Sequence, residues 1–566
     1  MRKRVESGGV TVQAVAGTRA VFLGLDLDAT VRDGCLGFAL HRSVKGQPGP
    51  GKWLAGFKTF KSIVPMPDPK TTYRTSDHPL QSFYWGDYTA RPGQTYTYRI
   101  VPRYGTPAAL TEEPGVEASI EITTGDPETG THGIYFNRGV AASQAYTREF
   151  GEPPDQITDP QKKQEALTWL SRGLLEAILG FIGQASSEQF ALRAAFYEFT
   201  QADVLKALQS AHADRGADVQ IVYHDLADST GGPNDQAITG NGVDRAILIR
   251  RQKAALAHNK FIVLCSKDAA GTLTPVSVWT GSTNISEGGI FGHSNVGHAV
   301  RDPEVASRYL DFWTQLAGDP EVDALRDWCS QNSAFDEAQI ATDGIHTLFS
   351  PRHGVGPLKW YAKQFGSGRD GGQLTSAHIT EAFGMNVEFE KTLEAYAGDG
   401  FHYVMLDQPD SNQDTWGKGI RVIVAVGTEG GPDVLSRWAK ESLTGFNVHV
   451  PYLHTKVLLV DPLEATPTVI TGSANFSPAS TDSNDENMLV IQNDPEVADV
   501  YFTEFARIFE HFYARYWAAR LAQGGQPSDD HSFLSEDATW QDPYFAAGHL
   551  KCLLRTLYSS QVQGNV

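Results

Sequence analysis

The segment His454-Thr455-Lys456-Val457-Leu458-Leu459-Val460-Asp461, followed by Gly472-Ser473-Ala474-Asn475, gives the strongest structural signal in this sequence. In an extended strand, side chains two residues apart point to the same face, so the imidazole of His454 and the ammonium of Lys456 converge on one spot. The apolar residues that follow predict the buried remainder of the strand. The small residues and the amide of Asn475 predict a turn beside it.

The same pattern occurs once more, earlier in the chain. His258-Asn259-Lys260 precedes the apolar run Phe261-Ile262-Val263-Leu264 and, further on, Gly281-Ser282-Thr283-Asn284. Strands alternate with amphipathic helices twice after residue 126, which predicts an internal duplication. The two copies close alike, because Asp302-Pro303-Glu304 and Asp494-Pro495-Glu496 each place a capping Asp and a first-turn Pro at a helix start. A single His-x-Lys would be weak evidence for a functional site. Two of them in matching repeats predict one site to which both repeats contribute.

The first 125 residues follow a different pattern. In Thr95-Tyr96-Thr97-Tyr98-Arg99-Ile100 the apolar side chains alternate with polar ones, as on a half-buried strand, and Ala118, Ile120 and Ile122 repeat the pattern. Gly and Pro punctuation between short runs predicts a β-sandwich of about seven strands. The stretch 93–100 resembles the tyrosine-containing strand of fibronectin type III and other immunoglobulin-like modules. Such a module either orients substrate or stabilises the protein, and we favour the second role slightly.

Composition and charge narrow the class of protein. With 41% hydrophobic and 20% charged residues, the chain is predicted to fold as a globular protein of several domains. Residues 1–125 hold 15 Lys and Arg against 11 Asp and Glu, which gives this segment a net charge of +4. Because the whole chain has a net charge of −20, the remaining residues carry −24. Nucleic-acid binders usually present a basic face, so this charge disfavours a polynucleotide substrate without excluding it.

No targeting signal is visible in the sequence. The sequence contains no run of eighteen apolar residues, so it predicts no membrane helix. Glu6, Gly8 and Gly9 lie where the apolar region of a signal peptide would be. The four cysteines match neither a zinc site nor a redox pair. A cytoplasmic chain and a mature secreted chain both remain open.

The repeated motif resembles the signature of the phospholipase D superfamily, His-x-Lys-x4-Asp with a downstream Gly-Ser-x-Asn, present twice. The second copy fits it fully and continues into an acidic position at Glu486. The first copy departs from it, because Cys265 stands in place of the motif Asp and Ser294-Asn295 stands in place of an acidic residue. The resemblance implies an α/β fold class with duplicated phospholipase D-like α-β-α halves related by a pseudo-two-fold axis, after the N-terminal all-β sandwich.

The residues themselves indicate the chemistry. A phosphodiester is an anion that repels nucleophiles, and Lys260, Lys456, Asn284 and Asn475 are suited to neutralise it without a metal or another cofactor. One neutral imidazole then attacks phosphorus while the other, protonated, donates to the leaving oxygen. The resemblance implies that His258 is the nucleophile and His454 the acid and base, and the sequence leaves the reverse open.

Further positions are assigned supporting roles. Glu486 is expected to orient a histidine and Asp461 to make a structural hydrogen bond, while Ser282 and Ser473 either donate to the phosphate region or simply form the turn. His293 and His298 are interpreted as ordinary loop or strand histidines. The predicted catalytic residues are His258, Lys260, His454 and Lys456, and the predicted supporting residues are Asn284, Asn475, Ser282, Ser473, Asp461 and Glu486.

The motif defines the reaction better than it defines the substrate. Phospholipase D-type hydrolysis or transphosphatidylation of phospholipids is favoured, with peripheral membrane contact through aromatic loops at 83–85 and 540–545. The alternatives are a nuclease, indicated by the wording of Thr471-Gly472-Ser473-Ala474-Asn475-Phe476-Ser477, and an inactive phosphate-binding scaffold. We expect a monomer with a sandwich over 1–125, repeats over 126–343 and 344–523, and a tail over 524–566 that packs on the catalytic body.

Overall fold

The structure is a computed structural model that describes residues 1–68, 71–139, 143–368, 373–413, 415–416, 421–427, 452–524 and 533–560. Its order along the chain is an N-terminal all-β region, two α/β halves with the same sheet topology, and a C-terminal helical segment. The fold class predicted from the duplicated motif is confirmed.

The all-β region consists of two packed sheets. One sheet has the order β1-β2-β3-β8, and the other has the order β10-β9-β4-β5 with β11 beside β9. Tyr96, Tyr98 and Ile100 on β9 and Ile120 and Ile122 on β11 are buried, as the alternation predicted. The elements are β1 Arg2–Ser7, β2 Val10–Ala16, β3 Val21–Leu27, α1 Ala29–Arg32, β4 Gly37–Val44, β5 Lys52–Trp53, β6 Ala55–Gly56, β7 Tyr73–Arg74, β8 Tyr84–Asp87, β9 Thr95–Thr106, β10 Ala109–Thr111 and β11 Ala118–Thr123.

The first α/β half is built on a seven-stranded sheet of order β12-β18-β17-β16-β13-β14-β15. Strands β13, β14 and β15 are parallel, and the remaining neighbours are antiparallel. The elements are β12 His132–Phe136, α2 Ser143–Phe150, α3 Pro160–Ser171, α4 Leu174–Gly183, β13 Phe190–Phe196, α5 Ala202–Ala213, β14 Asp218–His224, α6 Gly231–Gly240, β15 Leu248–Arg251, β16 Lys260–Lys267, β17 Leu273–Gly281, β18 Val296–Val300, α7 Pro303–Ala317 and α8 Val322–Asn332.

The second half repeats this topology strand for strand, in the order β19-β25-β24-β23-β20-β21-β22. The predicted strand Gly419–Ala425 lies partly outside the described residues. The elements are α9 Glu337–Ile340, β19 Gly344–Ser350, α10 Gly356–Ser367, β20 Ser376–Glu381, α11 Val387–Ala395, β21 Phe401–Leu406, β22 Val422–Val426, β23 Val457–Val460, β24 Thr468–Gly472, α12 Pro478–Asp482, β25 Glu486–Gln492 and α13 Pro495–Gly524.

Two helices pack between the sheets. Aromatic residues of α7, such as Tyr309 and Phe312, and of α13, such as Tyr501 and Phe505, share one core with the inner faces of both sheets. The predicted caps are present, because Asp302 accepts hydrogen bonds from the N–H groups of the first turn of α7 and Asp494 does the same for α13. The outer faces of the two sheets form separate cores against the remaining helices.

The C-terminal segment contacts more than the catalytic body. Its helices are α14 Asp542–Phe545 and α15 Leu550–Ser559. Trp540 and Tyr544 enter the core of the β-sandwich, where the Trp540 ring stacks on Phe83 at 5.5 Å. Tyr558 on α15 packs against the second half, and its hydroxyl lies 2.6 Å from that of Tyr403. The segment therefore joins the sandwich to the second half.

No single helix among the described residues has the length and hydropathy to cross a membrane. Helices α3 and α4 pass this test only as a pair, and they are bent by 87° relative to each other.

Candidate functional site

The His-x-Lys segments lie where the central strands of the two sheets begin. Strand β16 starts at Lys260 and β23 starts just after Lys456, so both motifs lie at the same end of their sheets. The rings of His258 and His454 come together across the seam between the halves, with centroids 6.5 Å apart. All four side chains are at least nine-tenths buried. The duplicated motif therefore forms one site to which each half contributes a histidine and a lysine.

Backbone hydrogen bonds exchanged between the halves fix this seam. The N–H of His258 donates to the carbonyl of Asp485 at 3.0 Å, and the N–H of His454 donates to the carbonyl of Ser294 at 3.1 Å. Asp485 and Ser294 return a hydrogen bond each, to the carbonyls of Leu256 and Tyr452. Each histidine is thus attached to the other half through its own backbone.

The side chain of His258 is held by a carboxylate of the second half. Its Nδ1 lies 2.9 Å from both carboxylate oxygens of Glu486. The hydroxyl of Ser473 donates to Glu486 Oε2 at 2.6 Å and fixes that carboxylate in turn. Burial alone would raise the pKa of Glu486, but the nearby His258 and Lys260 outweigh it and lower the pKa. Glu486 is therefore ionised and accepts the Nδ1–H of His258, which leaves Nε2 for chemistry.

His454 is held at the equivalent position by neutral groups of the first half. Its Nδ1 lies 3.0 Å from Asn295 Oδ1 and 3.1 Å from the carbonyl of Ser282, and the Ser282 hydroxyl also donates to Asn295 Oδ1. Both neighbours are acceptors, so Nδ1 of His454 carries the proton. Asn295 and Glu486 lie 13 residues after Ser282 and Ser473, so the two halves place an amide and a carboxylate at matching positions.

A third histidine fixes the orientation of that amide. Asn295 Nδ2 donates to the carbonyl of Gly289 and to Nδ1 of His293, each at 2.8 Å, so Nδ1 of His293 is an acceptor. The ring of His293 lies against that of His454 with centroids 4.7 Å apart. Burial lowers the pKa of His293 to about 3, and Lys456 adds to the shift. The neighbourhood of His454 therefore contains no negative charge at Nδ1, in contrast to that of His258.

The imidazoles of His258 and His454 are both neutral near pH 7. Burial lowers the pKa of His258 to about 4, even though Glu486 acts in the opposite direction. Burial also lowers the pKa of His454 well below its usual value, and Lys456 lowers it further. An anion bound between the rings would raise both pKa values, because it stabilises the protonated forms.

The two lysines are positioned as anion-binding groups. Lys260 Nζ donates to the carbonyl of His258 at 2.6 Å, and Lys456 Nζ donates to that of His454 at 2.7 Å. An ammonium has three N–H donors, so two remain on each lysine. Burial lowers the pKa of Lys260 to about 7, and burial together with the charge of Lys260 lowers that of Lys456 well below its usual value.

Known proteins match the two halves in sequence. The family described as cardiolipin synthase, PLD-like domain, matches residues 178–316 and 413–509, one segment in each half. The two α/β halves are phospholipase D-like domains. No curated protein matches the chain.

Solved structures give weaker similarities. Nuc of Salmonella typhimurium, a phospholipase D family member, is 24% identical over 26% of this chain and 87% of its own, with a TM-score of 0.21. Phosphatidylserine synthase of Haemophilus influenzae is 11% identical over 62% of this chain and 91% of its own, with a TM-score of 0.39. Yeast tyrosyl-DNA phosphodiesterase is 10% identical over 55% of this chain and 85% of its own, with a TM-score of 0.29.

The Gly-Ser-x-Asn turns of the phospholipase D-like domains have a steric requirement. A Cβ at Gly281 would lie 2.3 Å from the carbonyl oxygen of Val296, and one at Gly472 would lie 2.2 Å from that of Asn487. Both glycines therefore allow two strands to approach closely beside a catalytic-site serine. Asn284 is buried and its Oδ1 has no partner among the described residues, while Asn475 is half-buried.

Asp461 lies away from the two histidines, at the opposite end of strand β23. Its Oδ1 accepts the backbone N–H groups of Thr375 and Ser376 at 2.7 and 3.0 Å. Burial raises the pKa of Asp461 to about 6. At the matching position of the other phospholipase D-like domain, Cys265 is a buried member of strand β16, which continues to Lys267. Strand pairing continues past Cys265, without interruption on the β13 side and with a register shift between Leu264 and Cys265 on the β17 side.

Several residues at the site were not predicted from the sequence. His293 was interpreted as an ordinary loop histidine, yet its ring contacts His454, whereas His298 is a strand histidine bonded to Tyr501. Tyr197 lies 4.9 Å from the His258 ring, and Lys260 lies over its face at 5.2 Å. Glu381 is buried near Lys456, and burial raises its pKa well above the usual value. In the sequence, these positions are marked only by where they lie relative to the matching strands of the two halves.

The described residues contain no group of three or more His, Cys, Asp or Glu side chains arranged to hold a metal ion. The four cysteines are unpaired, and three of them are buried.

Proposed function

We propose that the protein is a metal-independent phosphodiesterase that works through a phosphohistidine. The observation that supports this most strongly is the pair of histidines, each with Nδ1 held by the opposite half and with ring centroids 6.5 Å apart. No described residue makes a hydrogen bond to either Nε2. Two imidazoles at this separation, one from each half and each with its Nε2 unused, suit an in-line displacement, in which the attacking and leaving atoms lie on opposite sides of phosphorus.

In the first step Nε2 of His258 attacks phosphorus, and the bond from phosphorus to the leaving alcohol oxygen breaks. His454, protonated because the bound anion raises its pKa, donates its Nε2 proton to that oxygen. The positive charge that develops on His258 is stabilised by Glu486 through Nδ1. His454 has no carboxylate at Nδ1, so its proton is held less firmly and is transferred more readily. This difference supports the assignment of His258 as the nucleophile.

In the second step water or an acceptor alcohol attacks the phosphohistidine. His454, now neutral, takes the proton from the attacking oxygen, and the bond between phosphorus and His258 Nε2 breaks. Water gives hydrolysis, and an alcohol gives transfer. The free N–H donors of Lys260 and Lys456 and the amides of Asn284 and Asn475 bind the non-bridging oxygens as negative charge develops on them.

We propose phospholipids as the substrate class. The matching family is described as cardiolipin synthase, PLD-like domain, and the net charge of −20 disfavours a polynucleotide. Membrane contact through the aromatic loops at 83–85 and 540–545 is not retained, because Phe83 and Trp540 are buried in the sandwich core. A better candidate is the loop after strand β20, where Phe383 is 69% exposed and Val387 is 50% exposed.

The deciding experiment offers phospholipid vesicles and single-stranded DNA together in excess EDTA. Wild type, His258→Ala and Glu381→Gln proteins are compared, and products are identified by chromatography. We expect wild type to release phosphatidic acid and leave the DNA intact, and His258→Ala to release none. A strict requirement for a divalent metal in a single turnover would overturn the phosphohistidine route.

The other outcomes separate the alternatives. Cleavage of DNA alone would retain the chemistry and replace the substrate, in line with the nuclease-like wording at 471–477. If wild type and His258→Ala are equally inert on every phosphodiester but bind phosphate, the protein is a binding scaffold. A radiolabelled phosphoryl group trapped on wild type by a quench in alkaline detergent, which preserves the acid-labile phosphorus–nitrogen bond, and absent from His258→Ala, would identify the intermediate directly.

A further inference from the structure

Four arginines surround one carboxylate where the sandwich, the first half and helix α13 meet. Glu504 on α13 accepts two hydrogen bonds from Arg172 at 2.6 and 2.7 Å and one from Arg507 at 2.7 Å. Arg19, from the sandwich, and Arg138, from the end of strand β12, complete the group. Glu504, Arg172 and Arg507 are buried, whereas Arg19 and Arg138 are partly exposed. We call these five residues the arginine cluster.

The charges of the arginine cluster do not balance. Arg172 and Arg507 share the only carboxylate, and Arg172 also donates to the backbone carbonyl of Arg19 at 2.9 Å. Among the described residues, neither Arg19 nor Arg138 has a carboxylate partner or donates a side-chain hydrogen bond, and Arg138 Nε is buried without an acceptor. The guanidinium of Arg138 lies over the Trp169 ring at 4.2 Å, which orders it without neutralising it. Counted over its five residues, the arginine cluster holds an excess of three positive charges, and the nearby carboxylate of Glu176 offsets part of this excess at Arg19.

Such an excess is costly at a partly buried position. Burial and then, in decreasing order, the charges of Arg172, Arg507 and Arg19 lower the pKa of Arg138 to about 9. Burial, followed by Arg172, also lowers the pKa of Arg19. Like charges within a low-dielectric region repel strongly, so a counter-anion would stabilise the arrangement.

The backbone is shaped to bring the arginines together. Arg172 adopts a left-handed conformation with φ 53°, which non-glycine residues rarely adopt. The next residue, Gly173, has φ 97°, and a Cβ there would lie 2.8 Å from Nη2 of Arg19. This conformation ends helix α3, where the N–H of Arg172 donates to the carbonyl of Thr168, and it directs the chain toward the cluster.

We propose that the arginine cluster is a second anion site, separate from the His-Lys site, that binds a phosphate-sized oxyanion. Planar guanidinium groups match the oxygens of phosphate with paired hydrogen bonds, and Arg19 and Arg138 supply donors that no described residue uses. The ligand is either a free phosphate ion or the phosphate group of an ester. The inference does not depend on turnover at the His-Lys site.

A chain of hydrogen bonds connects the arginine cluster to His454. Arg507 Nη2 donates to the carbonyl of Asn137 at 2.8 Å. The side chain of Asn137 donates to the carbonyl of His293 at 2.9 Å and accepts the N–H of Asn295 at 2.8 Å. Asn295 in turn accepts from Nδ1 of His454. An anion in the arginine cluster is therefore positioned to influence the histidine that we assign as the acid.

Inorganic phosphate titrated into the full-length protein by calorimetry tests the site. Wild type is compared with the double variant Arg19→Gln/Arg138→Gln and with Arg91→Gln, a matched loss of charge at an exposed arginine of the sandwich. We expect the double variant to bind one phosphate fewer per chain than wild type, and Arg91→Gln to bind as many as wild type. Equal stoichiometry and affinity in wild type and the double variant would overturn the proposal.

Two further measurements guard against misfolding and separate the sources of the anion. Arg138→Lys retains the positive charge but loses the planar guanidinium group. We therefore expect it to weaken the binding of phosphate to the arginine cluster about tenfold without altering the circular dichroism spectrum. Glycerol 1-phosphate is titrated in parallel. Equal affinity for both ligands indicates an ester phosphate, and a preference of tenfold or more for inorganic phosphate indicates the free ion. Failure of both ligands to bind in a manner sensitive to Arg138 would contradict the anion site.

Discussion

The two histidines of the site are chemically different although the halves that supply them share one topology. Glu486 places a negative charge at Nδ1 of His258, and Asn295 places a neutral amide oxygen at Nδ1 of His454. A carboxylate at Nδ1 raises the basicity of an imidazole, whereas an amide does not. The proposed division of nucleophile and acid therefore rests on the groups at Nδ1 and not on any difference between the histidines themselves.

Exchanging these partners is expected to shift opposite limbs of the pH profile. Asn295→Asp adds a negative charge beside His454 and raises its pKa; because the acid must be protonated, the alkaline limb of kcat/KM moves up by about one unit. Glu486→Gln lowers the pKa of His258 further; because the nucleophile must be neutral, the acid limb moves down, and the rate falls roughly 10³-fold. The pH dependence of kcat/KM checks both.

NMR titration of the labelled histidine rings in the same variants provides the control, since it needs no substrate. If the alkaline limb and the His454 titration are unchanged in Asn295→Asp, the amide has only a packing role.

At this scale the sequence predicts the His and Lys pairs and Glu486, which holds His258, but not the groups that hold His454. His258, Lys260, His454 and Lys456 follow from a spacing that any extended strand converts into proximity. His293 does not, because its contact with His454 depends on how the loop between Asn284 and Ser294 folds back. Asn295 is visible in the sequence only as a missing acid, and its partners become known only when the halves are docked.

Among the elements, the equivalent strands β16 and β23 show how one sheet topology tolerates two different residues at the same position. Asp461 caps backbone N–H groups at the end of β23, and Cys265 lets β16 continue. The capping Asp was predicted to be structural, and the geometry explains why its loss in the first half leaves the histidine end of the strand untouched.

Replacement of Asp461 should reduce stability and spare the chemistry. Asp461→Ala leaves two N–H groups without their acceptor and places Ala at φ 49°, so we expect a loss of about 3 kcal/mol in the free energy of unfolding. Asp461→Asn keeps an acceptor and tolerates that φ, so its loss should be about 1 kcal/mol. Urea denaturation measures both, and a large fall in kcat at unchanged stability would show that Asp461 takes part in the reaction.

The loop after β20 offers a test of membrane contact. We expect Phe383→Ser with Val387→Ser to weaken binding to phospholipid vesicles roughly tenfold per side chain, because each exposed apolar group loses its transfer free energy. Cosedimentation with vesicles gives the affinity. Met66→Ser is the control, since Met66 is 89% exposed on the sandwich. An equal loss of rate on a short-chain soluble substrate would show damage to the site rather than loss of contact.

Over the whole molecule, the duplication is predictable and the packing between modules is not. The helix caps and the inward alternation of β9 follow from local sequence, because each depends on residues close in the chain. The path of the C-terminal segment does not, since Trp540 enters the sandwich core through contacts with residues such as Phe83 that are more than 400 positions away. The fibronectin-type likeness of the sandwich stays a prediction.

The buried carboxylate of the arginine cluster should make acid stability depend on one residue. Arg172 and Arg507 outweigh burial and hold the pKa of Glu504 at about 2, below its usual 4.5. A lowered pKa contributes stability that is complete above pH 4.5 and is lost as pH falls towards 2, about 3 kcal/mol in all. We expect Glu504→Gln to be less stable than wild type by at least that amount at pH 7.

The difference in the free energy of unfolding between Glu504→Gln and wild type should shrink below pH 4.5. Urea unfolding midpoints at pH 7, 4 and 3 measure this change. A difference that stays constant with pH would mean that the carboxylate is not ionised in the folded protein. Gln at 504 also leaves the arginines unpaired, so added phosphate should restore part of the loss.

Each histidine is held by residues of the other half, so the order of synthesis determines when the site can form. Glu486 follows His258 by 228 residues, so at a translation rate of roughly 5–20 residues per second the carboxylate emerges from the ribosome roughly 10–45 seconds after the imidazole that it serves. Strands β16, β17 and β18 of the first half emerge early in that interval, whereas Glu486 emerges only at its end. A chain that ends anywhere between these two positions lacks the carboxylate that holds Nδ1 of His258.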